Sequence, residues 1–158
     1  VRVENFLLDS ARRYPGKPAL VAGSTRLTYA ELAARAAGLA AELKRQGVQR
    51  GDRVVVFLQN SPEAVISIFG ALMAGGVFSV VNPSTKADKL AYILNNCTAK
   101  ALITEPRLAA VAAQAKAEAP AVAAMIMTPF GFPDAEAPRF AGIDLDVAMI
   151  VYTSGSTG

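Results

Sequence analysis

The residues best suited to chemistry are Thr153-Ser154-Gly155-Ser156-Thr157-Gly158, which directly follow the apolar run Val147-Ala148-Met149-Ile150-Val151-Tyr152. Glycine lets a backbone approach an anion closely, and successive N–H groups of such a loop can point at one phosphate. Ser and Thr hydroxyls add donors and can serve Mg²⁺ as hard oxygen ligands. The string lacks the GxxxxGK[ST] pattern, and no GxGxxG follows any apolar run. On composition alone, a Ser/Thr/Gly loop after a strand is equally an ordinary loop end.

Other chemistries find little support. The chain has no histidine, which excludes Ser-His-Asp and Cys-His catalysis and any histidine metal site within these 158 residues. The single Cys97 cannot form an internal disulfide, which fits a reducing compartment, and it reads as an inert small hydrophobe at a helix end. Asp144 and Asp146 could pair on a metal, but they read as turn and surface residues before a strand. Lys44, Arg45, Arg50 and Arg53 read as a helix end complementing its dipole plus a solvated turn, with Arg12-Arg13 read the same way. A phosphate or nucleic-acid role is the alternative for that basic patch, and the net charge of +3 is too mild to argue for nucleic acid. Phe69 and Phe78 read as core.

The elements that position these residues follow from periodicity and punctuation. Val3, Phe6, Leu7 and Tyr14 predict one face of a helix over 3–14, ended by Pro15-Gly16. Short strands at 18–22 and 25–28 flank Gly23-Ser24 as a hairpin. Thr28-Tyr29-Ala30-Glu31 is a capping box that opens a helix running to Gly47. Val54–Leu58 is continuously apolar, as suits a parallel strand covered on both faces. Ser61-Pro62-Glu63 starts a helix reaching about Ala74, followed by strand 77–81. The uncharged stretch from Ala64 to Val81 approaches membrane-span length, but Gly75-Gly76 divides it into a buried helix and a buried strand. Next come a helix near 86–96, a strand at 100–104, an Ala-rich helix at 107–118, a strand at 122–127, a loop at 128–142 and a strand at 147–152. Strands alternating with helices from residue 53 onward predict an α/β fold, a doubly wound and mostly parallel sheet with helices on both faces. Ligands of such sheets sit beyond the C-terminal strand ends, where Thr153–Gly158 falls.

The string Tyr152-Thr153-Ser154-Gly155-Ser156-Thr157-Gly158 resembles the signature loop of the adenylate-forming (AMP-binding) superfamily, which includes acyl-CoA synthetases and peptide-synthetase adenylation domains. Asp144–Ala148 resembles the lead-in to that loop, Leu27–Leu32 the first helix entry and Gly51–Val54 a strand entry. Gly70–Val77 with Asn82-Pro83 resembles the family's central helix–strand block. The resemblance spans nearly the whole chain in the family's order. It implies the N-terminal portion of an adenylating large domain, divided as 1–28 helix and hairpin, 29–127 βαβ units, 128–146 loop, and 147–158 strand and phosphate loop.

The resemblance further implies two-step chemistry: a carboxylic acid, fatty or other acyl, is activated by ATP to an acyl-adenylate and transferred to CoA. Loading onto a carrier protein, or a non-catalytic nucleotide-binding module, are the alternatives. It implies that Thr153, Ser154, Gly155, Ser156, Thr157 and Gly158 hold ATP phosphates and that Thr153 lies on the Mg²⁺ side. Catalytic residues are not assigned. The implied partners are ATP, the acid, CoA and a C-terminal part of the same enzyme, and the piece alone is expected to be inactive. The expected compartment is cytoplasmic, with no transmembrane segment and no nucleic acid. A charged share of 18% against a usual value of about 25% predicts an apolar face covered by another part or by a second copy.

Overall fold

The computed structural model describes residues 1–138 and 142–153. Helix α1 (Val3–Arg13) precedes an antiparallel hairpin of β1 (Pro18–Ala22) and β2 (Thr25–Thr28). Helix α2 (Tyr29–Arg45) begins at the predicted capping box. The Thr28 hydroxyl accepts from the Glu31 N–H at 3.2 Å, and the Glu31 carboxylate accepts from the Thr28 N–H at 2.8 Å. That N–H, followed by the Thr28 hydroxyl, which also donates to Glu31 Oε2 at 3.0 Å, holds the Glu31 carboxyl below its ordinary range. Past the helix end, Gly47 has φ +88°, the left-handed conformation that glycine adopts without a Cβ penalty.

A parallel sheet follows, built from β3 (Arg53–Val56), β4 (Val77–Val80), β5 (Ala99–Thr104) and β6 (Ala124–Met127) in the order β4-β3-β5-β6. Helix α3 (Pro62–Met73) joins β3 to β4, and α4 (Ala87–Asn96) crosses back from β4 to β5. A 3₁₀ turn at Pro106–Leu108 and α5 (Ala109–Ala117) lead to β6. Ser61 caps α3 by accepting from the Ala64 N–H at 3.2 Å, with Pro62 at the first helical position as the sequence predicts.

Alternation along β3 separates two cores. Val54 and Val56 join Leu32, Leu39, Leu43, Ile66 and Ile103 beneath α2 and α3, while Val55 and Phe57 join Leu90, Leu94, Leu102 and Ala112 beneath α4 and α5. Helices on both faces explain why the strand reads as unbroken hydrophobicity. The stretch 64–81 is a buried helix and strand, and no helix among the described residues is long and apolar enough to cross a membrane.

Two expectations are corrected. In α1 the inward residues are Glu4 and Leu7, with Leu8 packed beside them, whereas Phe6 is 63% exposed and Val3 and Tyr14 also face outward. Arg2 pairs with Glu4, which satisfies an acid at an inward position that hydrophobic periodicity assigns to the surface. The predicted strand at 147–152 is reduced to one parallel bridge. The Phe78 N–H donates to Ala148 at 3.0 Å, and the Ile150 N–H donates to Phe78 at 3.0 Å. Side chains still alternate there. Leu145, Val147, Met149 and Val151 are exposed, while Ile150 and Tyr152 pack against the second core. Four apolar side chains of this segment thus face outward in a row.

Candidate functional site

The segment bearing Thr153 is tied to the body at successive points. Asp146 accepts from both Arg50 Nε, at 3.0 Å, and Arg50 Nη2. That pairing holds the Asp146 carboxyl below its ordinary range. Phe78 then grips Ala148 and Ile150 through the bridge, and the Tyr152 hydroxyl donates to Asn96 Oδ1 at 2.7 Å. These ties deliver Thr153 to the C-terminal end of β4, the strand end at which such sheets bind ligands.

A cleft of about 580 Å³ opens there. Its floor is Val80, Val81 and Asn82 at the end of β4, and Lys86, Lys89 and Tyr92 of the α4 entry form one wall. Tyr152 and Thr153 form another. Asn82 Oδ1 accepts from the Ser84 N–H at 2.9 Å and from its hydroxyl at 2.8 Å, a turn that shapes the loop into α4. Lys86 is the N-cap of α4 and makes no side-chain cap. Two ammonium groups, the positive end of a helix and hydroxyls on one cleft suit an anion, while Asp88 supplies a single opposing charge. Burial, ahead of the neighbouring Cys97, pushes the Tyr152 hydroxyl up to about 12. Tyr152 therefore stays a neutral donor at physiological pH.

The cleft lies outside β4, not at the topological switch between β3 and β5. At the switch, the Gln59 N–H donates to Glu105 Oε2 at 3.3 Å, spanning the two strand ends. Thr153 is thus placed on the cleft. Ser154, Gly155, Ser156, Thr157 and Gly158 lie outside the described residues. Among the described residues, no three Asp, Glu, Cys or His side chains gather as a metal cluster. Asp144 accepts from the Val1 nitrogen at 2.8 Å and Asp146 from Arg50, so the two acids serve separate contacts, as their reading as turn residues requires. The basic residues are likewise engaged. Arg45 binds Glu42, and Arg53 donates to the carbonyls of Cys97, Gly51 and Thr98. Sequence reasoning did not single out Lys86, Lys89 and Tyr92, which line the cleft. The one local signal is the pair of lysines three apart that brackets the acid Asp88 at the start of α4.

Cys97 is buried at the C-cap of α4, and burial raises its thiol above the ordinary 9.0. A raised native value means that the unfolded chain ionises first as pH climbs past 9. Cys97 therefore favours the fold below that pH, and its contribution is lost as pH rises further. Cys97→Ala should flatten the alkaline fall in melting temperature. Labelling of the native thiol by an aromatic disulfide at pH 8 is expected to be at least about tenfold slower than in the urea-unfolded chain. Equal rates would show the thiol to be accessible.

A family model described as "AMP-binding enzyme" matches residues 7–158. The chain is 36% identical over 151 residues to malpinin synthetase of Mortierella alpina, which covers 95% of this chain and 2% of that protein. It is 39% identical over 102 residues to a long-chain-fatty-acid–CoA ligase of Bacillus subtilis (strain 168), covering 65% of this chain and 18% of that protein. The chain therefore spans less than a fifth of either relative. The inhibitor-bound N-terminal domain of FACL13 from Mycobacterium tuberculosis matches with a TM-score of 0.91 at 28% identity, covering 99% of this chain and 42% of that one.

Proposed function

The chain belongs to the AMP-binding enzyme family, and from that premise we propose that the whole protein joins a carboxylic acid to the α-phosphoryl group of ATP. A carboxylate oxygen attacks the α-phosphorus, the bond to the bridging oxygen breaks, and pyrophosphate leaves. A thiol, CoA in this reading, then attacks the acyl carbon, loses its proton and expels AMP. The acid is fatty or another acyl acid.

The observation that carries the reading is that Thr153 lines the same cleft as Lys86 and Lys89, past the end of a parallel strand. Phosphoryl transfer asks a protein for position and charge neutralisation more than for covalent chemistry. A cleft of cations and hydroxyls without histidine fits that demand. Thr153 to Gly158 are assigned the ATP phosphates, with N–H groups and hydroxyls as donors. Mg²⁺ fits the Thr153 hydroxyl, because this ion takes one or two protein oxygens and fills its shell with water and phosphate. When bound it neutralises phosphate charge.

A second reading is favoured by the 36% identity to malpinin synthetase over 95% of the chain: transfer to a carrier-protein thiol instead of CoA. Pyrophosphate–ATP exchange by the full-length protein tests both. Exchange driven by a subset of fatty, aromatic and amino acids is expected, followed by acyl-CoA and AMP when CoA is added. Exchange without acyl-CoA, but with acylation of a carrier protein, would favour the second reading. No exchange with any carboxylate would overturn both. The 158-residue piece alone should form no acyl-CoA.

A further inference from the structure

We propose that Lys86 and Lys89 hold the pyrophosphate that leaves ATP, as cations that follow the β- and γ-phosphates out of the cleft. The inference rests on the reading that this cleft serves an ATP-dependent adenylation.

Lys86 is the N-cap residue of α4, Lys89 stands three residues on, and both line one cleft. Neither ammonium has a hydrogen bond or ion pair among the described residues. The guanidinium groups nearby in sequence are committed elsewhere: Arg45 to Glu42, Arg50 to Asp146 and Arg53 to three carbonyls. Asp88 lines the same cleft and pairs with neither lysine. Two uncommitted cations thus share a concave surface with one acid.

Most of the negative charge of ATP sits on its β- and γ-phosphates, and more gathers there as the bond to the α-phosphorus breaks. A cation aimed at that group stabilises the transition state more than the bound substrate. Lysine suits a group that moves. Its ammonium is a compact point charge with three donors on a flexible stem, whereas arginine presents a rigid fork. The site also opens toward water, since Lys89 and Tyr92 are exposed. Pyrophosphate leaving the strand end therefore has a charged path to solvent. Thr153 lines another wall of the cleft, so hydroxyl and ammonium donors meet the anion from two sides.

The test uses the full-length protein in pyrophosphate–ATP exchange, comparing Lys86→Gln, Lys89→Gln, the double variant and Asp88→Asn. Lys17→Gln, on the exposed turn ahead of β1, is the control. Each single lysine variant should raise the KM for pyrophosphate and for ATP by about fivefold, and the double variant by about twentyfold. The KM for the acid and inhibition by AMP, which lacks the leaving group, should stay within about twofold, with Tm within about 2 °C. Asp88→Asn removes the opposing charge and should lower the KM for pyrophosphate by about twofold. Lys17→Gln should match the wild type. An unchanged KM for pyrophosphate in the lysine variants would overturn the proposal and leave the adenylation reading standing. So would equal weakening of AMP and acid, a rise confined to the KM for CoA, or a weaker hold on pyrophosphate in Asp88→Asn. A wild type without exchange would overturn the functional reading and this proposal together.

Discussion

Phe57→Ala is expected to cost about 3–5 kcal/mol of folding stability. Phe57 is fully buried where the chain leaves β3, and its N–H still donates to Ile103 at 2.8 Å. Its ring sits in the core under α4 and α5 with Val81, Leu90, Leu94 and Leu102. Truncation removes the transfer free energy of the ring and leaves a cavity walled by a sheet on one side and helices on the other. Neither layer can settle into the space without breaking strand pairing. A domain typically has about 5–15 kcal/mol in total, so the loss is a large share of it. Phe57→Leu should cost under about 1.5 kcal/mol. Urea unfolding reads both through the midpoint at constant slope. A cost below about 1 kcal/mol for the alanine variant would show that this core can collapse around the gap.

Gly38→Ala is expected to lower stability although alanine is the better helix former. In the middle of α2, the exchange should gain about 1 kcal/mol on propensity alone. A Cβ at Gly38, however, would overlap the Pro133 carbonyl oxygen and stand 3.3 Å from its carbon and 3.4 Å from Asp134 Cα. The obstacle is backbone, and that backbone is held. The Ala135 N–H donates to Ala34 at 3.1 Å, and Phe130 and Phe132 stack with centroids 5.1 Å apart while packing on the first core. Lifting the loop sacrifices those contacts. Overpacking of this kind costs about 1–3 kcal/mol, which outweighs the propensity gain. The Tm should fall by a few degrees, at roughly 2–4 °C per kcal/mol for a domain of this size. A rise in Tm would mean that residues 130–135 rest only loosely on α2.

Elements set by local signals were legible in the sequence. Thr28 and Glu31 close a capping box because the two partners lie three residues apart. Ser61-Pro62 starts α3, and the unbroken run at 54–58 marks a strand covered on both faces. Features set by distant partners were not. Glu4 turns inward because Arg2 meets it there, against the apolar pattern of α1. The run at 147–152 has strand composition, but its pairing is one bridge at Phe78 beside a four-residue strand. At the cleft, Thr153 stands out in the sequence by its hydroxyl–glycine context, whereas nothing local to Asn95-Asn96 distinguishes the residue that meets Tyr152. The position of the cleft outside β4 follows from strand order, which periodicity does not encode.

The bridge between Phe78 and Met149 also has a consequence during synthesis. The four-strand sheet is complete within residues 53–127, yet the outer edge of β4 receives its partner only when Met149 emerges, roughly seventy residues after Phe78. At typical translation rates of about 5–20 residues per second, that edge waits roughly 4–14 s on the ribosome. A waiting edge is a template for wrong pairing. Here it is only four residues long, and two residues past Val81 comes Pro83, which has no N–H to extend a ladder. The shortness of β4 therefore protects the nascent chain until its own later segment arrives.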